Sequence, residues 1–265
     1  MCLEQLVRKS PSLTLSRRDV VNAFAVGALL LPAVGRSATT DRRPVDAIAF
    51  DGFPIFDPRS VGAMVQSLIP DRGGALAQAW SNKLFGYTWL YTSADRYVPF
   101  DVVADEALRF SADALGLALS AAARGRLVGA YSQLNIWPDV KPALQKLNSA
   151  GIQLAFLSNL GEEALRTNMA RNGIASTFAH VLSTDRVRKF KPAPAAYAMA
   201  IDAFDLPMDR IGFAAFGGWD AAGAAWFGYR TAWVNRLGVP REPIEPGPSI
   251  VAPGMEAVLA LAGLA

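Results

Sequence analysis

Val45-Asp46-Ala47-Ile48-Ala49-Phe50-Asp51-Gly52 decides how this chain is read. A short apolar run that ends in an Asp-Gly pair predicts a buried strand stopping in a tight turn. Downstream, residues 151–157 read as a second strand running into Ser158-Asn159, residues 180–183 as a third, 211–215 as a fourth and 231–235 as a fifth. Helices are expected between them, at 140–150, at 162–172 where Gly173 stops the pattern, at 193–204 and at 220–227. Strands alternating with helices imply an α/β fold with a doubly wound parallel sheet. The stretch from the first strand to about residue 140 is helical in character. Leu84, Tyr87, Thr88 and Leu90 sit at helical spacings, and residues 105–123 are rich in Ala and Leu. The expected plan is therefore a Rossmann-like core from residues 44–60 and 141–265, with residues 61–140 inserted as a helical cap.

Composition narrows the class. Hydrophobic residues make up 52% and charged residues 18% of the 265, which is a globular balance rather than a disordered one. Net charge is +3, and much of the excess lies in Arg8, Lys9, Arg17, Arg18, Arg36, Arg42 and Arg43. No dense basic patch lies beyond them, so nucleic acid is not an expected partner. The single cysteine, Cys2, leaves no internal disulfide and no cysteine nucleophile in the body of the chain. Ser16-Arg17-Arg18-Asp19 precedes an apolar run from Ala23 to Val34 and then Gly35-Arg36-Ser37-Ala38. A basic start, a short apolar core and a small-residue end read as a secretory signal over residues 1–38. The paired arginines resemble a twin-arginine export signal, which implies a periplasmic or exported protein with no lasting membrane anchor.

Polar residues recur where strands end. Asp51 follows the first strand, Ser158 and Asn159 the second, Lys191 lies in the loop after the third, and Asp220 stands just past the fourth. In open parallel sheets that edge is where ligands bind. An aspartate there can act as a covalent nucleophile, and a nearby lysine favours its ionised form. Each residue alone reads equally as a cap or turn residue, and His180 alone reads as structural. Lys189 reads as a solvated surface lysine.

Taken together, Phe50-Asp51-Gly52-Phe53-Pro54-Ile55-Phe56-Asp57, Leu157-Ser158-Asn159, Lys191-Pro192-Ala193-Pro194-Ala195-Ala196-Tyr197 and Gly218-Trp219-Asp220-Ala221-Ala222-Gly223-Ala224 resemble the haloacid dehalogenase superfamily, and within it the type II L-2-haloacid dehalogenases. Tyr87-Thr88-Trp89-Leu90 and Arg96-Tyr97-Val98-Pro99-Phe100 resemble the cap of that subfamily, and the likeness spans residues 44–240. The resemblance implies hydrolysis of a haloacid through an ester on Asp51, with Asp220 orienting the attacking water and Lys191 holding Asp51 ionised. Phosphatases of the superfamily carry a second aspartate two positions after the nucleophile. Phe53 stands there, which implies neither a phosphatase nor a metal or other cofactor.

The chain also departs from that pattern. The family places an arginine after the cap tryptophan to pair with the substrate carboxylate, whereas Ser81 follows Trp80 here. Where it has Gly-Thr in the nucleophile loop this chain reads Pro54-Ile55, with the threonine either replaced by Ile55 or deleted before it, and Ala215-Phe216-Gly217 stand where it has Ser-Ser-Asn. Phe53, Ser81, Asn82, Phe85, Phe100, Tyr197 and Trp219 are the expected substrate-binding residues, and Lys83 and Arg96 the candidate substitute charges. A small molecule is the expected partner, and a homodimer is left open. The changes leave two readings: an enzyme with shifted substrate scope, or an exported binding protein that has lost catalysis.

Overall fold

The computed structural model describes residues 43–265, and the statements below concern those residues. Strand β1 (Ala47–Phe50) lies near the centre of a six-stranded sheet. On one side of it come β2 (Gln153–Ser158) and β3 (His180–Ser183). On the other come β4 (Ile211–Ala215), β5 (Arg230–Val234) and β6 (Ile250–Ala252). Every neighbouring pair is parallel. The register sets Phe50 beside Phe156 on one flank and Ala214 on the other, so the residues that follow β1, β2 and β4 emerge at one edge.

Alternation along β1 builds two core layers, since successive strand side chains point to opposite faces. Ala47 and Ala49 face the layer that holds Ala155, Leu157, Phe213 and Ala215. Their small side chains let α7 (Pro194–Phe204) and α8 (Gly218–Phe227) pack close to the sheet, with Tyr197, Ala200, Ala221 and Ala224 buried there. Ile48 and Phe50 face the bulkier layer beneath α5 (Val140–Ser149), α6 (Glu162–Arg171) and α9 (Glu256–Leu261). Phe156 lies between Phe56 and Phe178 in that layer, with ring centroids 5.3 and 4.2 Å away.

Between β1 and α5 the chain makes a helical excursion through α1 (Arg59–Leu68), α2 (Gly73–Ser93), α3 (Phe100–Ala114) and α4 (Ala121–Gly129). It leaves and returns through a short antiparallel pairing around Phe56 and Ile136. Asp57 N–H donates to Asn135 C=O at 2.8 Å, and Trp137 N–H donates to Ile55 C=O at 3.1 Å. Trp80 fixes α2 to α3 by donating its indole N–H to Ala104 C=O at 2.8 Å.

Two features depart from the sequence expectation. The Ala/Leu-rich stretch at 105–123 is not one helix. Gly116 turns left-handed with φ +64° just past α3, and Ser120 restarts the chain by accepting from Ala123 N–H at 3.2 Å. The second is β6 with α9, which follow a proline-rich segment. A three-residue edge strand that is half exposed carries no alternation for a sequence reading to detect.

The ring stack around Phe156 generates a stability prediction. Phe156→Ala should cost about 3–5 kcal/mol, because it empties a fully buried aromatic site between two rings. Urea denaturation followed by circular dichroism measures it, and a loss under about 1 kcal/mol would mean that the layer collapses around the gap.

Candidate active site

Asp51 emerges from β1 with its backbone N–H bonded to Ala214 C=O at 2.9 Å, which fixes the first residue past the strand. The loop then turns at once. Phe56 N–H donates to Gly52 C=O at 2.9 Å, and Phe53 N–H reaches back to Asp51 Oδ2 at 3.3 Å. Asp51 is 8% exposed.

Lys191 comes to it from the loop after β3. Its Nζ donates to Asp51 Oδ1 at 2.8 Å and to Asp220 Oδ2 at 2.7 Å. Asp220, in the first turn of α8, is 1% exposed, as is Lys191. Three charges in so dry a place are tolerable only because they pair with one another and with further donors. Tyr197, from α7, supplies one by donating its hydroxyl to Asp220 Oδ1 at 2.7 Å. Gly223 makes that approach possible, since a Cβ there would stand 2.7 Å from the Tyr197 hydroxyl oxygen.

The loop carrying Lys191 is held from both sides. Asn159 Oδ1 accepts the Lys191 backbone N–H at 2.9 Å, and Thr92 Oγ1, near the end of α2, accepts Phe190 N–H at 3.0 Å. Lys189 is not the free surface lysine expected from sequence: it pairs with Asp95 at 2.8 Å and donates to Thr92 C=O at 3.2 Å. The helical excursion thereby helps to place the loop that carries Lys191. Ser158 Oγ accepts Leu160 N–H at 3.2 Å and sits under Gly52, where a Cβ would come within 3.1 Å of it.

The electrostatics follow from burial and pairing. Burial pushes the Asp220 carboxyl up to about 6; Lys191 pulls it down and Asp51 pushes it up, so the net result lies above the usual carboxylate range. Burial works to lower Lys191, but the carboxylates of Asp220 and Asp51 outweigh it and hold the ammonium protonated. Tyr197 is raised well above its ordinary value, by burial first and by Asp220 second, so it remains a donor.

Beside the nucleophile loop lies a cavity of about 310 Å³. Phe53, Ser81, Phe85 and Phe100 line it as expected, joined by Trp80, Leu84, Tyr131, Phe216, Leu237 and Arg59. Three expected substrate-binding residues lie elsewhere. Asn82 is exposed on α2 and accepts from Gln78 Nε2 at 3.1 Å, because it falls on the outer face of that helix. Tyr197 is fully buried behind Asp220, so it positions that carboxylate and does not touch the cavity. Trp219 is not part of the cavity wall; it backs Phe85 at 5.4 Å and meets Trp89 at 5.7 Å.

Ile55 is fully buried in the core, so a hydrocarbon stands where a loop hydroxyl was sought. Lys83 sits over the Phe110 ring at 3.8 Å, away from the cavity, and Arg96 is exposed outside it. Asp57 and Arg59, which the sequence reading left without a role, form a bidentate pair at the cavity rim. Among the described residues, no group of three His, Cys, Asp or Glu side chains is arranged to hold a metal.

Comparison with known proteins places this geometry. The family model of haloacid dehalogenase-like hydrolases matches residues 65–228. The chain is similar to an (S)-2-haloacid dehalogenase of Pseudomonas sp. (strain YL), with 35% identity over 82% of this chain and 94% of the relative. A solved L-2-haloacid dehalogenase superposes with a TM-score of 0.80 at 37% identity, over 83% of this chain and 99% of the other. The L-2-haloacid dehalogenase of Xanthobacter autotrophicus, solved with chloropropionic acid covalently bound, superposes with a TM-score of 0.75 at 28% identity, over 82% of this chain and 98% of the other. The α/β fold, the strand-end site and these likenesses agree: the chain belongs to the haloacid dehalogenase-like hydrolases.

Proposed function

We propose that the protein hydrolyses the carbon–halogen bond of a 2-haloacid through an ester on Asp51. The observation that carries this reading is the Lys191 ammonium held between Asp51 and Asp220 at 2.8 and 2.7 Å. It fixes one carboxylate in place for attack and leaves a second one beside it for the water step.

Lys191 occupies Asp51 Oδ1, so Oδ2, held only by the longer bond from Phe53 N–H, is the oxygen free to attack. Asp51 Oδ2 bonds to C2 of the acid from the side opposite the halogen. The carbon–halogen bond breaks and its electron pair leaves as halide. A halide needs no proton to depart, which suits the apolar Phe53. Asp220 then accepts a proton from water as that water attacks the Asp51 carboxyl carbon. The ester opens to a 2-hydroxyacid with inverted configuration, and Asp51 regains a carboxylate that carries one oxygen from water. Helices α1–α4 serve as the cap, closing the reacting carbon away from bulk water. Retention of Asp51, Lys191 and Asp220 in bonded contact favours this over a protein that has lost catalysis.

Export belongs to the same proposal. Residues 1–38, the expected signal, lie outside the described residues, and Arg17-Arg18 ahead of the apolar run supports a twin-arginine route to the periplasm. Among the described residues no helix is long and apolar enough to cross a membrane.

Four measurements test these statements. Asp51→Asn should lower kcat by at least about 10⁴-fold while leaving the fold intact, since an amide is a poor nucleophile. In a single turnover in ¹⁸O-water, wild-type protein should gain label on Asp51, read by peptide mass spectrometry; label found only in the hydroxyacid would show direct attack by water instead. The pH profile comes next. Asp220 must be ionised to take the proton, and its pKa is raised to about 6 while Asp51 is charged; the ester removes that charge and one cause of the rise, so hydrolysis of the ester should fall as pH drops below about 6. A profile flat down to pH 4 would remove Asp220 from the water step. Finally, replacing Arg17 and Arg18 together by Lys should leave the precursor in the cytoplasm on cell fractionation, and unchanged export would assign a different route.

A further inference from the structure

One charged side chain lines the cavity, and no sequence motif points to it. Arg59 opens α1, two residues after Asp57, and its guanidinium is clamped on two sides. Nε donates to both Asp57 carboxylate oxygens, at 2.9 and 3.0 Å, and Nη2 donates to Oδ2 at 2.6 Å. The guanidinium carbon stands 4.5 Å from the centroid of the Trp137 ring, and Trp137 donates its Nε1–H to Phe53 C=O at 3.0 Å. The clamp is therefore built onto the nucleophile loop itself, two residues from Asp51. Arg59 Nη1 makes no hydrogen bond to any described residue. It is the donor edge left for a ligand.

Apart from Gln78 and Ser81 the remaining wall is hydrocarbon and aromatic, and Ser81 leaves open the space that a longer side chain would fill. Arg59 stands at the exposed side of this wall, its side chain 65% exposed, and it is the charged partner that a carboxylate entering the cavity meets, neutral Ser81 being a weaker one. A guanidinium already fixed by a carboxylate and a ring loses little side-chain freedom when an anion joins it. Acids of two or three carbons would leave most of about 310 Å³ unfilled.

We propose that Arg59 is the carboxylate anchor of this site, and that it selects an amphipathic acid whose hydrocarbon body fills the cavity while its carboxylate pairs with Nη1. The reacting carbon rests on the dehalogenase reading above; the anchor and the cavity stand on their own geometry. The preferred substrates are 2-haloacids bearing an aryl or long alkyl group, ahead of haloacetates and 2-halopropionates.

Binding of unreactive probes tests the anchor without turnover. Wild-type protein, Arg59→Gln and Arg59→Lys are titrated by calorimetry with 3-phenylpropionate, its neutral amide and propionate. Wild type should bind 3-phenylpropionate at least about tenfold more tightly than either of the others, the scale of one charge-assisted contact. Arg59→Gln should erase the preference for the acid over the amide while moving the amide's Kd by less than about twofold, and Arg59→Lys should retain part of it. An unchanged preference in Arg59→Gln, or equal loss of acid and amide, overturns the anchor; propionate binding as well as 3-phenylpropionate overturns the cavity. Chloride release from 2-chloro-3-phenylpropionate is measured alongside. Probe binding as expected with no chloride released would sink the dehalogenase reading and leave the anchor standing.

Discussion

A single ammonium, Lys191 Nζ, stands between two carboxylates in a place almost free of water, and much of the structure exists to make that arrangement tolerable. Alone, each of the three charges would be too costly to bury. Together they share two short hydrogen bonds, and Tyr197 supplies a third to Asp220. The balance favours the protonated lysine and still leaves Asp220 with a raised pKa, because one ammonium divided between two acids cannot offset the desolvation of both. A carboxylate near 6 is a better proton acceptor than one near 4, so the burial that strains the site also fits it for its second step.

The surroundings of this triad follow from that constraint. Each member arrives from a different strand end: Asp51 from β1, Lys191 after β3, Asp220 after β4. Only a parallel register brings those ends to one edge. Asn159 and Thr92 then fix the backbone on either side of Lys191, one from the core and one from the helical excursion. Removing a cap contact would therefore disturb catalysis through the lysine loop as well as through access to the cavity.

Around the triad the site is largely apolar. Ala215, Phe216 and Gly217 bring no hydroxyl or carboxamide side chain to the end of β4, Ile55 is buried in the core, and Ser81 is small and neutral. The one charged residue that lines the cavity is Arg59, paired with Asp57, and Gln78 and Ser81 are neutral polar groups of the wall.

The sequence by itself determined the sheet's class, its first five strands and the identities of Asp51, Lys191 and Asp220. Those features are written in short-range signals: apolar runs of strand length, Asp-Gly and Lys-Pro punctuation, and polar residues at strand ends. It also located Phe53, Ser81, Phe85 and Phe100 at the pocket, through their neighbourhood in matching segments. Tertiary structure alone decided which way side chains face. Tyr197 is the seventh residue of its motif and reads as a ligand contact, but the rotation of α7 and the bare Cα of Gly223 turn it onto Asp220. Asn82 differs from Ser81 by one helical step, about 100°, which carries it out of the cavity wall. Arg59 and Trp137 are seventy-eight positions apart, and only the pairing at Phe56 and Ile136 brings them into contact. Long-range packing of that kind leaves no periodic mark in the chain, because it is set by where two segments meet rather than by what either one contains.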